Sequence, residues 1–69
     1  MYKVLIVDDC KSDLRGMQSY IPWKELGCEI VATAQNGLDG YNAAIKYKPD
    51  IVICIRDYQA ILAPWGNGL

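Results

Sequence analysis

Histidine is absent from the 69-residue sequence, so His-based catalytic triads and His metal sites are excluded. No basic run is present either. Seven Lys and Arg stand against eight Asp and Glu, a net charge of −1, so nothing tracks a phosphate backbone and direct nucleic-acid binding by this chain is not expected. Long apolar runs are missing too: the aliphatic stretch near the N-terminus, Val4 to Val7, is ended by Asp8 and Asp9. A signal peptide needs a longer apolar region and a membrane span about 20 residues, so neither is expected. The three cysteines, Cys10, Cys28 and Cys54, are odd in number and lack CxxC spacing. That pattern fits reduced thiols and a cytoplasmic location. What is present is ordinary for a globular chain. Hydrophobic residues make up 52% and charged ones 22%, too apolar for disorder, and the length allows one domain at most.

Val4-Leu5-Ile6-Val7 is a continuous aliphatic run that suits a strand buried on both faces of a parallel sheet. Asp8 to Ser12 form a polar break able to cap a helix, whose stripe is Leu14, Met17 and Ile21 and which Pro22 stops. Gly27 precedes a second strand, Cys28 to Ala34. Asn36-Gly37 has the composition of a hairpin turn, but Leu38, Tyr41, Ala44 and Ile45 follow at helical spacing, so the segment reads as a strand-to-helix connection. Lys46, Lys48 and Pro49 end that helix, and Ile51 to Ile55 is a third buried strand. Strand, helix, strand, helix, strand is the grammar of right-handed parallel crossovers, an α/β architecture. In such sheets ligands bind beyond the carboxyl ends of the strands. The residues there are Asp8, Asp9 and Cys10, then Gln35 and Asn36, then Arg56 and Asp57.

The opening Met1-Tyr2-Lys3-Val4-Leu5-Ile6-Val7-Asp8-Asp9, the segment Ile21-Pro22-Trp23-Lys24-Glu25-Leu26-Gly27-Cys28-Glu29-Ile30-Val31, then Ala34-Gln35-Asn36-Gly37 and Lys48-Pro49-Asp50-Ile51-Val52-Ile53 together resemble a two-component response regulator receiver domain. The likeness spans residues 1–54. The tryptophan-bearing segment is similar to receivers that precede helix-turn-helix transcription modules. The resemblance implies a doubly wound, flavodoxin-like parallel sheet, truncated here to strand order 2-1-3 with two helices on opposite faces. It also implies a metal site in which Asp8 and Asp9 hold Mg²⁺ against an aspartate at the end of strand three, which accepts a phosphoryl group from a sensor histidine kinase. Mg²⁺ suits such a site, preferring one or two carboxylates with waters and phosphate oxygens.

The sequence departs from that pattern where the chemistry belongs. Ile55 stands at the acceptor position, and Asp57 lies two residues further, about 6.6 Å along a strand. Asp57 is thus a displaced acceptor or a turn aspartate. Cys10 replaces a further acidic residue and is expected to be at least half-buried; it also removes the Asp-x-Asp spacing of a haloacid-dehalogenase-type site. Trp23 and Trp65 are expected to pack. Residues 1–57 are assigned to a partial receiver domain. Residues 58–69, uncharged, are assigned to an aberrant apolar tail such as a frameshift or insertion leaves.

Two classes of function follow, neither an enzyme. One is a receiver fragment of a phosphorelay, defective in phospho-acceptance and binding Mg²⁺ weakly through two exposed carboxylates. The other is a catalytically silent interaction fragment, or the translated remnant of a disrupted gene. Its partners would be a sensor histidine kinase, an intact receiver, or a second copy joined through the open edge of strand three.

Overall fold

A computed structural model describes residues 1–54 and the backbone of residues 59–62. Strand β1 (Tyr2–Val7) is followed by helix α1 (Lys11–Tyr20), β2 (Cys28–Ala34), α2 (Gly37–Tyr47), β3 (Ile51–Cys54) and β4 (Gln59–Leu62). The sheet order is β2-β1-β3-β4. β1 pairs in parallel with β2 on one side and β3 on the other, so the expected parallel 2-1-3 core is present. Val4, Leu5 and Ile6 are almost wholly excluded from solvent, as a central strand flanked on both edges requires.

The two helices take opposite faces. Val4 and Ile6 form a buried cluster with Leu14 of α1, joined by Met17, Trp23 and Ile30 among others. Trp23 packs as expected, and its indole N–H also donates to the Met17 carbonyl at 2.9 Å, satisfying one of the free acceptors of the last helical turn. On the other face, a Cβ built on Gly40 of α2 would lie 3.1 Å from Val7 Cγ2 and 3.9 Å from Ala34 Cβ. α2 therefore rests close on β1 and β2 through its smallest residues. Gly40 is buried and Ala43 and Ala44 are half-buried, while Leu38, Tyr41 and Ile45 point away from the sheet at 70%, 65% and 54% exposure.

Local signals set most boundaries. Asn36 caps α2 by accepting the Asp39 N–H at 2.8 Å, which resolves Asn36-Gly37 as a strand-to-helix connection. Lys48 closes α2 in the left-handed region at φ 47, its N–H bonded to the Ala44 carbonyl. Gly27, at φ 76, turns the chain into β2 and receives the Tyr2 N–H at 2.8 Å. Between Val4 and Leu5 the β1–β2 register skips Val31, a bulge that puts Ala32 and Ala34 beside Leu5 and Val7. The start of β1 is fastened to β3's approach twice: the Lys3 N–H donates to Asp50 Oδ2, and the Asp50 N–H to the Lys3 carbonyl, both at 2.8 Å.

Three expectations are corrected. The edge of strand three is not open: β4 pairs with it antiparallel, Ile51 opposite Leu62 through Cys54 opposite Gln59. The apolar Ala60-Ile61-Leu62 sequence supplies a strand able to satisfy that edge's backbone groups. The N-cap position of α1 is taken by neither a carboxylate nor a hydroxyl: it is Cys10, whose side chain makes no cap hydrogen bond. Cys10 itself is exposed, because the N-cap lies beyond the sheet, where nothing described covers it.

Candidate functional site at the carboxyl ends of the strands

The loops after β1 and β2 and the last residue of β3 converge on an open cleft of about 190 Å³ lined by Val7, Asp8, Asp9, Gln35, Asn36, Gly37 and Cys54. The parallel sheet creates it. Strands running the same way bring their carboxyl ends to one side, and Val7 lies directly across from Ala34 and Cys54.

Asp8 and Asp9 adjoin in sequence but differ in environment. Asp9 is exposed, whereas Asp8 is 4% exposed, which corrects the expectation of two exposed carboxylates. The Asp8 N–H donates to the Ala34 carbonyl at 2.9 Å, extending the β1–β2 ladder by one residue. That bond draws the side chain under the end of β2, out of water. Its Oδ1 accepts the Cys10 N–H at 3.1 Å, and its Oδ2 is buried with no hydrogen-bond partner among the described residues. A buried carboxylate oxygen in that state is costly unless a donor or cation meets it.

Asp8 and Asp9 on one cleft suit a hard divalent cation, which takes one or two carboxylates and keeps most of its waters. Among the described residues no three His, Cys, Asp or Glu side chains cluster to hold a metal ion. Among those residues the donors at the cleft are the two carboxylates, and an ion held by them alone would remain largely hydrated. Of the other residues inspected from sequence, Gln35 and Asn36 line the cleft and Cys10 does not. Ile55, Arg56 and Asp57 lie outside the described residues, as does Trp65. Sequence reasoning missed Cys54, a half-buried free thiol. Its signal was its place one residue before Ile55 in the third apolar run, level with Val7 across the sheet.

Comparison with known proteins bears on this site. The chain is 42% identical over 53 residues to the transcriptional regulatory protein YesN of Bacillus subtilis, 34% to a response regulatory protein of Staphylococcus epidermidis, and 30% to the transcriptional regulatory protein HptR of Staphylococcus aureus. Over its N-terminal part the chain is a homologue of response regulators. The matched segment covers 77% of this chain but only 14% of the first protein and 21% of the other two. No family model and no solved structure matches. The response-regulator homology falls on the part of the chain that carries the cleft. Among the described residues no helix is long and apolar enough to cross a membrane.

Proposed function

We propose that this chain is the amino-terminal part of a receiver domain from a two-component phosphorelay, retaining the cation-binding acidic pair and defective in phospho-acceptance. The observation that carries the proposal is Asp8: a carboxylate at the carboxyl end of the central strand, buried with one oxygen unmatched among the described residues, in a chain homologous to response regulators. The bond from the N–H of Cys10, the N-cap of α1, accounts for Asp8 Oδ1 and leaves the buried Oδ2 without an explanation in helix capping.

In this reading Asp8 and Asp9 hold Mg²⁺ weakly, in roughly the millimolar range or above, because two carboxylates give little in exchange for the waters the ion surrenders. The bound cation would supply charge neutralisation for an approaching phosphoryl group. Asn36, by fixing the start of α2, holds the loop that walls the cleft. The missing part is the nucleophile. Ile55 has no atom that can attack phosphorus, and Asp57, two residues on, is the one remaining aspartate beyond β3. The chain acts as a partner rather than as an enzyme, in the cytoplasm, on a sensor histidine kinase or an intact receiver. As a silent interaction fragment or the remnant of a disrupted gene it would keep the fold and lose the phosphotransfer.

The test uses the unmodified chain, Asp57→Asn and Ile55→Asp, each incubated with radiolabelled acetyl phosphate and Mg²⁺. The expected result is no base-labile label on the unmodified chain and a gain of label in Ile55→Asp. Label on the unmodified chain that disappears in Asp57→Asn would overturn the acceptance defect and make Asp57 the acceptor.

A further inference from the structure

The start of α2 carries two dipeptides with the same latent chemistry, Asn36-Gly37 and Asp39-Gly40. In each, a glycine nitrogen follows a side-chain carbonyl carbon at the spacing from which attack closes a five-membered imide ring. Glycine favours that attack, because no Cβ shields its nitrogen and its backbone turns freely. The fold treats the two pairs differently.

At Asp39-Gly40 the nitrogen is engaged. Gly40 is buried, and its N–H donates to the Asn36 carbonyl at 3.0 Å. A Cβ there would already stand 3.1 Å from Val7 Cγ2. Ring closure would break a bond of the helix and need space that Val7 fills. At Asn36-Gly37 these obstacles fall away. Both residues are exposed, and a Cβ on Gly37 would meet nothing within 4 Å. Gly37 is the first residue of α2, so its N–H is one of those without an acceptor inside the helix. Asn36 itself lies outside the helix, with extended backbone at φ −155 and ψ 172. Its Oδ1 accepts the Asp39 N–H at 2.8 Å, which leans the amide over the first turn and draws electron density from its carbon. The restraint on the ring is that bond and a second one, from Nδ2 to Asp39 Oδ2 at 3.1 Å. Both are exposed, and exposed bonds at a helix end open often.

We infer that Asn36 is a self-modification site of the folded chain, losing ammonia through an imide ring closed by the Gly37 nitrogen. The nitrogen gives its proton to hydroxide and bonds to Asn36 Cγ; the Cγ–Nδ2 bond breaks, and Nδ2 takes up a proton and leaves as ammonia. Water then opens the imide. Cleavage of the bond from Cγ to the Gly37 nitrogen yields aspartate; cleavage of the main-chain bond yields isoaspartate, whose backbone runs through Cγ. One water is consumed and one ammonia released, with no change of oxidation state. Aspartate at this position still accepts the Asp39 N–H but sets a carboxylate against the Asp39 carboxylate, whereas isoaspartate lengthens the main chain and displaces the cap. Either product adds a negative charge to the cleft wall that carries Asp8 and Asp9. The inference is independent of cation binding and of phosphotransfer.

The test compares native buffer, mildly alkaline and below the thermal midpoint, with the same buffer in urea. The 69-residue chain carries Asn67→Gln throughout, which removes the other Asn-Gly pair. Peptide mapping by mass spectrometry and chromatography follows aspartate and isoaspartate at positions 36 and 39, and released ammonia is assayed. Conversion at Asn36 should proceed in native buffer and retain a larger fraction of its urea rate than isomerisation at Asp39-Gly40, by roughly fivefold or more. Gly37→Ala, which fits the open space, should slow ammonia loss roughly tenfold or more while circular dichroism keeps its helical signal. Three outcomes would overturn the inference. The first is an Asn36 that stays intact in native buffer over a period in which it converts in urea, which would make the cap a protecting group. The second is equal suppression of the two pairs by folding. The third is ammonia loss at an unchanged rate in Gly37→Ala, which would mean that the Gly37 nitrogen is not the attacking atom.

Discussion

Asp8 is a residue whose stability and function pull apart. Its Oδ1 has the Cys10 N–H, and its Oδ2 is buried without a partner among the described residues. Asp8→Asn keeps an acceptor for Cys10 and puts an amide N–H₂ where the buried Oδ2 lies. It should therefore stabilise the chain by about 0.5–2 kcal/mol in urea unfolding without metal. The gain should reverse in character with Mg²⁺: millimolar ion raises the midpoint of the unmodified chain and leaves that of Asp8→Asn unchanged, since only the native state of the former binds it. A midpoint in Asp8→Asn below that of the unmodified chain in the absence of metal would show that the carboxylate is better satisfied than the geometry indicates. The acidic pair is legible in sequence because it follows an aliphatic run that must end a buried strand. Which acid is buried is not legible. That depends on the Asp8 N–H reaching the Ala34 carbonyl, a contact between residues 26 apart that no local pattern encodes.

The helices show how far periodicity reaches at the scale of an element. Leu38, Tyr41, Ala44 and Ile45 announce α2 correctly, yet three of these four lie away from the sheet. The buried face is built from small residues because the helix axis comes close to β1, and closeness, not apolarity, selects Gly40. Gly40→Val should accordingly cost about 2–3 kcal/mol by urea unfolding, as its branches meet Val7 where a Cβ already stands at 3.1 Å from Cγ2. Gly27→Ala isolates a different cause. Nothing lies within 4 Å of the added methyl, but φ is +76, so the loss should be about 1 kcal/mol, from backbone conformation alone. Equal losses at the two positions would contradict the distinction. Both strand-to-helix junctions were legible from Asp8-Asp9 and Asn36-Gly37. The Val31 bulge was not, since it answers to the register of β1 rather than to anything in β2.

Across the whole molecule, the sheet is better closed at β3 than composition alone suggests, because β4 occupies that edge. The pairing escapes sequence reading: Gln59 to Leu62 carry neither alternation nor a turn signal of known type, and only an available edge makes them a strand. A chain ending at Tyr58 should therefore associate at several-fold lower concentration than the 69-residue chain in light scattering, since an uncovered strand edge pairs through its backbone. Even with β4 in place, every residue of β3 remains half-buried. A chain of this size has little apolar burial to set against ordering entropy. Its melt should be broad and concentration-dependent, with a midpoint below about 50 °C. The paired bonds between Lys3 and Asp50 give the same architecture a history. They join residues 47 positions apart, across the strand that is made first and needs both neighbours. At the usual pace of roughly 5–20 residues per second, a ribosome leaves Val4 to Val7 without β3 for roughly 2–9 s. During that interval the most apolar strand of the nascent chain is a chaperone's substrate before it is a core.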